Sequence, residues 1–196
     1  MNIIGVAGLP RSGKDTLAEI LMENGYFGVS LGDIVRDESK KRHADDPQPI
    51  SVKNMTETSN YLRTKHGADF ALKEALTRYE KAKQTTEYIG LVVFSVRAPV
   101  EADFILKNSG KLIWVDASDE VRNQRANSNL REGEAELSVE EMKAQEVLQE
   151  KPQPGLPKEV QMDTSYVKSQ ASIVIENNGN SLEDFVNNAK QVLEIS

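Results

Sequence analysis

Residues 2–16 read NIIGVAGLPRSGKDT, and the interpretation of this stretch decides the rest. Residues 2–7 form a short apolar run rich in β-branched side chains, the composition of a strand buried on both faces of a parallel sheet. Gly8-Leu9-Pro10-Arg11-Ser12-Gly13-Lys14 follows with the spacing Gly-x-x-x-x-Gly-Lys. Beyond it Leu17, Ile20 and Leu21 recur on one helical face until Asn24-Gly25. A glycine-rich turn between strand and helix lets successive backbone N–H groups curl around a phosphate, and the helix N-terminus adds its positive end. Lys14 then reaches the terminal phosphates of a bound nucleotide. The candidate contacts are Gly8, Arg11, Ser12, Gly13, Lys14, Asp15 and Thr16. The position after the lysine, normally Ser or Thr, is Asp15, so the hydroxyl of Thr16 comes one residue late. Asp15, through water, and Thr16 are the candidate Mg²⁺ ligands.

Outward from this loop, strands alternate with helices. Residues 26–31, 88–96, 111–115 and 171–176 read as strands. Helices are expected near 33–41, 55–65, 68–83, 100–107, 118–126, 138–150 and from 181 onward. The last two open on Ser138-Val-Glu-Glu141, a capping box, and on Ser181-Leu-Glu-Asp184. Such alternation predicts an α/β fold: a parallel sheet covered by helices on both faces in three layers. The 196 residues fit one domain, 1–196. Residues 40–85 are too long for a single crossover and read as a helical insertion over the sheet's edge. Residues 127–138, polar and glycine-containing, read as a small lid.

Composition narrows the function classes. Hydrophobic residues are 38% and charged residues 28%, ordinary for a water-soluble domain. No apolar run reaches the roughly eighteen residues of a membrane span, and the N-terminus lacks the basic flank of a signal peptide. Cysteine is absent, which excludes disulfides, thiolate metal sites and cysteine nucleophiles and is compatible with a cytoplasmic location. The net charge of −7 argues against nucleic acid as the main partner. A small molecule is the expected partner, bound by a monomer or a homodimer.

Two further segments point to an acceptor site. Ser30-Leu31-Gly32-Asp33-Ile34-Val35-Arg36 ends the second strand and enters a helix, where Asp33 and Arg36, three apart, share a face. Phe94-Ser95-Val96-Arg97 ends the third strand, with Glu101 four residues on. With the phosphate loop, these segments resemble the P-loop nucleoside monophosphate kinase family. The layout is most similar to archaeal-type proteins related to dephospho-CoA kinase, also described as AAA family ATPase-like. The likeness rests on Gly-Leu-Pro-x-Ser-Gly-Lys-Asp-Thr, Ser-Leu-Gly-Asp-x-x-Arg, Tyr61-Leu62-Arg63…Gly67, the Arg97-to-Glu101 motif and Ile175-Glu176-Asn177-Asn178-Gly179.

The resemblance implies an ATP- and Mg²⁺-dependent kinase of the P-loop fold. Arg36, Arg63 and Arg97 would hold a nucleotide-like acceptor, namely a nucleoside or deoxynucleoside monophosphate or dephospho-CoA. Asp33 would orient the attacking oxygen or a metal-bound water. Lys14, Arg97 and the lid arginines Arg125 and Arg131, with Arg122 beside them, would meet the charge of the transferring phosphoryl group. Asn177 and Gly179 would line the adenine. The family's acidic residue at the third strand's end has no counterpart, since Val93, Phe94 and Ser95 stand there. A nucleotide-binding regulator without turnover and a partner-coupled ATPase are therefore the competing readings. His43 and His66 lack metal-site spacing, and Trp114 reads as core.

Overall fold

The computed structural model describes residues 2–130, 136–150, 154–155, 157–158, 161–179 and 181–195, the side chains of 148 and 149 excepted. Five strands, β1 (Ile3–Ala7), β2 (Tyr26–Ser30), β3 (Gly90–Val96), β4 (Lys111–Asp116) and β5 (Ile173–Glu176), form one sheet in the order β2-β3-β1-β4-β5. Every pairing is parallel. The β-branched runs that suggested buried strands are the central ones: β1 is buried throughout, and Leu91, Val92 and Val93 of β3 are sealed from solvent. Parallel strands need helical crossovers, which cover both faces.

One face carries α2 (Leu31–Arg42), α3 (Val52–His66), α4 (Phe70–Ala82), α5 (Pro99–Lys107) and α8 (Thr164–Gln170), packed through Leu31, Leu62, Leu72, Ala75, Ile105 and Val167 among others. The opposite face carries α1 (Lys14–Glu23) and α9 (Leu182–Leu193), which bury Leu17, Leu21, Phe185 and Ala189. The remaining helices, α6 (Asp119–Ser128) and α7 (Val139–Gln149), pack on each other. This is the three-layer parallel α/β architecture expected from the alternation, a P-loop kinase-like fold. Segment 40–85 is occupied mainly by α3 and α4, which lie against α2, the edge strand β2 and its neighbour β3.

Local chemistry explains the element starts. Ser30, Ser51, Ser118 and Ser181 cap α2, α3, α6 and α9 by accepting a backbone N–H three residues on. The expected box at α7 is present, with Ser138 and Glu141 bonded reciprocally. Helix α8 was not among the helices expected from the sequence, which assigned no element between residues 150 and 171. Asp163 caps it by accepting from Tyr166 N at 2.8 Å. β3 also holds an irregularity: Val6 pairs with Phe94 but Ala7 pairs with Val96, so Ser95 is an extra residue, bulged into the left-handed region at φ 64°. No helix among the described residues is long and apolar enough to cross a membrane.

Candidate functional site

The phosphate loop, Asp33, Arg97 and Asn177 to Gly179 follow the carboxyl ends of β1, β2, β3 and β5, the end at which parallel α/β sheets place their ligand sites. The loop after β1 is shaped by its glycines. A side chain at Gly8 would meet Val115 O at 2.6 Å, and Gly13 sits at φ 102° against the amide of Asn177. Arg11 also lies in the left-handed region. This sequence of turns opens α1 at Lys14, whose buried ammonium lies 3.3 Å from Asp15 Oδ2. The Ser12 hydroxyl is buried without a hydrogen-bond partner, in a loop suited to an anion.

Asn177 and Arg125 brace this loop from the β5 side. Asn177 donates to Ser12 O at 2.8 Å. Arg125 donates to Asn177 Oδ1, Asn177 O and Gly179 O, each at 3.0 Å, and reaches Arg11 O and Ser12 O at 3.4 and 3.5 Å. Burial pulls the Arg125 guanidinium below its ordinary range. Arg122, only 1% exposed, donates to Pro10 O at 3.3 Å and Asp119 at 2.7 Å and is paired twice with Glu146 of α7. The sequence reading placed both side chains as lid arms over a transferring group; here they tie the phosphate loop to α6, α7 and the β5 loop. Arg131 lies outside the described residues. The described ends of the 127–138 segment are pinned together, because Asn127 and Asn123 donate to Leu137 O at 2.9 and 2.7 Å.

The other rim is built by α2, α3 and the tip of β3. Asp33, in the first turn of α2, accepts an ion pair from Arg36, the i,i+3 arrangement expected from the sequence. Arg97 is held by its backbone on both sides: its N–H donates to Glu101 Oε2 at 2.8 Å, and its carbonyl accepts from Asp163 N at 2.9 Å. Burial pulls the Arg97 guanidinium below its ordinary range; the charges of Glu101 and Asp15 oppose this, and Arg36 adds to it. The charges of the loop carboxylate Asp15 and of the α2 arginine Arg36 both reach Arg97. Arg63 of α3 is buried, with Nη2 3.9 Å from Glu101 Oε1.

Two groups behave differently from what residue type alone suggested. Asp116 ends β4 but is engaged: it accepts from Trp114 Nε1 at 3.1 Å and from Lys168 Nζ at 2.8 Å, and these bonds lower its pKa against the opposing effect of burial. Glu101, named in the sequence only as the end of a motif, is the acidic centre of the β3 rim. Its one local signal was Pro99 at the first and Glu101 at the third helical position, a helix-start pattern. Among the described residues no cluster of three acidic or histidine side chains could cage a metal. Mg²⁺, however, is held by one or two protein groups together with substrate phosphates and water, and the exposed Asp15 beside Thr16 fits that modest donor set.

The comparisons agree with this architecture. A family model described as AAA domain matches residues 4–149. A UPF0200/UPF0201 protein of Archaeoglobus fulgidus is 30% identical over 196 residues, covering 98% of this chain. The chain spans 55% of that relative's length. Among solved structures, TT1252 from Thermus thermophilus superposes with a TM-score of 0.57 at 20% identity, covering 98% of this chain and 96% of that one. Shikimate kinase from Bacteroides thetaiotaomicron gives 0.53 at 15% identity, covering 99% of both chains. At these identities the structural likenesses speak for the fold, a P-loop kinase-like one, and the sequence match speaks for the lineage: the chain belongs to the AAA domain family.

Proposed function

We propose that the protein is an ATP-dependent phosphotransferase acting on a nucleotide-like acceptor, a nucleoside or deoxynucleoside monophosphate or dephospho-CoA. The observation that carries this reading is the electrostatic setting of Arg97, which feels Asp15 of the phosphate loop and Arg36 of α2 together. A donor seated on the loop and an acceptor held by arginines would therefore meet at one cleft.

In this reading the loop's N–H groups and Lys14 hold the β- and γ-phosphates of ATP. Arg36 and Arg97 fix the acceptor, and Asp33, already oriented by Arg36, lies beside the attacking hydroxyl. The acceptor oxygen bonds to the γ-phosphorus as the bond to the β–γ bridging oxygen breaks and ADP leaves. Where that oxygen is a hydroxyl, as in dephospho-CoA, its proton passes to Asp33, and where it is an ionised phosphate oxygen no proton is moved. Asp15 and Thr16 are the residues that would hold Mg²⁺, which would supply charge neutralisation to the phosphates when bound. Arg125 serves as a brace of the loop and of the Asn177–Gly179 segment, where the adenine would lie. Positioning and charge account for nearly all of such catalysis, since little covalent chemistry falls to the protein.

A second reading, a nucleotide-binding regulator without turnover, is favoured by one feature: the tip of β3 offers the Ser95 hydroxyl where related kinases carry an acid. The experiment that separates the two is ADP release from Mg-ATP across nucleoside monophosphates, deoxynucleoside monophosphates and dephospho-CoA. Acceptor-dependent ADP establishes the transferase and its substrate class. ATP binding with no ADP from any acceptor sinks the transferase reading in favour of the regulator.

A further inference from the structure

Among the described residues the side chains of Arg122 and Arg63 are almost wholly buried, and they are used differently. Arg122 spends both terminal nitrogens on Pro10 O, Asp119 and Glu146. Arg63, with 8% of its side chain exposed, has one partner among the described residues, Glu101, at 3.9 Å, and its Nε is buried without an acceptor. Each unspent donor on a buried arginine costs desolvation energy. The Nε of Arg122 is also without an acceptor, but its two terminal nitrogens make four hydrogen bonds, whereas those of Arg63 face one carboxylate at 3.9 Å. Arg63 retains most of its capacity, next to the cleft.

Glu101 stands between this arginine and the next. It is 5% exposed. Oε2 accepts from Arg97 N at 2.8 Å and Ala98 N at 3.0 Å, Oε1 faces Arg63, and its charge reaches the Arg97 guanidinium. One buried carboxylate therefore fixes the backbone of one arginine and sets the electrostatics of two. A buried ion pair contributes little net stability compared with apolar packing, so its presence at the seam between α3 and the β3 tip calls for another cause. The charges of Asp15 and Glu150 also reach Arg97, so Glu101 is the carboxylate shared by the two arginines, one of several around Arg97.

We propose that Glu101 is a positioning residue for the acceptor: it sets Arg97 and Arg63 as one two-armed receptor for an anionic group on the acceptor, locking the helical insertion to the sheet in the geometry that group needs. This inference rests on the phosphotransferase reading above. It adds that the acceptor must present a phosphate or comparable anion to the two arms, whether or not that group is itself the one phosphorylated, so a neutral sugar or alcohol does not suffice. Glu101 touches neither substrate nor reacting atoms; it acts through the arginines.

The test is acceptor and ATP titration of the wild type, Glu101→Gln, Arg63→Met and the double variant, with ATP affinity measured separately by calorimetry. Glu101→Gln keeps an oxygen for the two backbone N–H groups and loses the charge. The expected result is an acceptor KM raised about tenfold in each single variant, with ATP affinity within twofold of wild type. In the double variant the second substitution adds less than twofold, because the two residues act as one unit. An unchanged acceptor KM in Glu101→Gln, or equal loss of ATP and acceptor affinity, overturns the proposal while leaving the phosphotransferase reading intact. Should Glu101→Gln fail to fold, Arg63→Met alone decides by the same split. A wild type that forms no acceptor-dependent ADP overturns the phosphotransferase reading and this inference with it.

Discussion

The two rims of the cleft are held by different chemistry. On the β4–β5 side the phosphate loop is braced through neutral oxygens: Asn177 on Ser12 O, Arg125 on four backbone carbonyls and the Asn177 amide, Arg122 on Pro10 O. On the β2–β3 side the arginines answer to carboxylates, Arg36 to Asp33 and Arg63 to Glu101. Carbonyls belong to every residue, so on the first rim the accepting side depends on chain path and the glycines, while the donating side depends on Asn177, Arg125 and Arg122. The second depends on individual side chains, so one substitution can retune it. A nucleotide common to many reactions suits the first rim; an acceptor that differs between relatives suits the second.

Substitutions can break this contrast or sharpen it. Lys14→Ala should cost the most: ATP affinity falls at least a hundredfold by calorimetry and transfer disappears, since a desolvated cation on the phosphates is lost. Unchanged ATP affinity would mean that the loop is not where nucleotide binds. Arg36→Ala should raise the acceptor KM roughly tenfold to a hundredfold and leave ATP untouched, as expected for one charge-assisted contact. A fall in ATP affinity instead would merge the two rims into one. Arg125→Ala should weaken ATP about fivefold through a loosened loop, with the acceptor KM unchanged; a selective loss of kcat would show it to be a lid arm after all.

The smallest effect concerns acid. Lys143 and Arg122 hold Asp119 below the ordinary carboxylate range. Because the folded value is depressed, the stabilising contribution is complete above the unfolded Asp value near 3.9 and is lost as pH falls through the folded one. Thermal melts followed from pH 6 down to pH 3 should therefore show a slightly shallower fall for Asp119→Asn than for wild type. Parallel curves would mean that Asp119 titrates alike in both states.

Much of this was legible in the sequence because its causes are local. The glycine spacing before Lys14, the β-branched runs and the serine caps each act within a few residues, and together they gave the strand–helix order and the position of the loop. The fate of Arg122 and Arg125 was not legible. Arg122 is settled by Glu146, 24 residues on, and Arg125 by carbonyls of residues 11, 12, 177 and 179, and no spacing rule announces a backbone oxygen. Glu101 was visible as a helix-start acid, but its partner Arg63 comes from another helix altogether. Helix α8 escaped for a different reason: at seven residues it is too short for an apolar stripe, and its cap Asp163 follows a proline- and glycine-rich stretch that reads as loop.

The extra residue in β3 has a consequence of phase. Along that strand Leu91 and Val93 face the α2–α5 side, and Val92 and Phe94 face α1. Strict alternation would give Val96 to the α1 side, yet it lies with Leu91 and Val93. Ser95 therefore acts as a half-period spacer that inverts the parity of everything after it. Arg97 is the first polar residue read out in the inverted phase, the one in which it senses Asp15. A strand in which Ser95 took its turn in the ladder would keep the same letters at the tip and aim those after it at the opposite face.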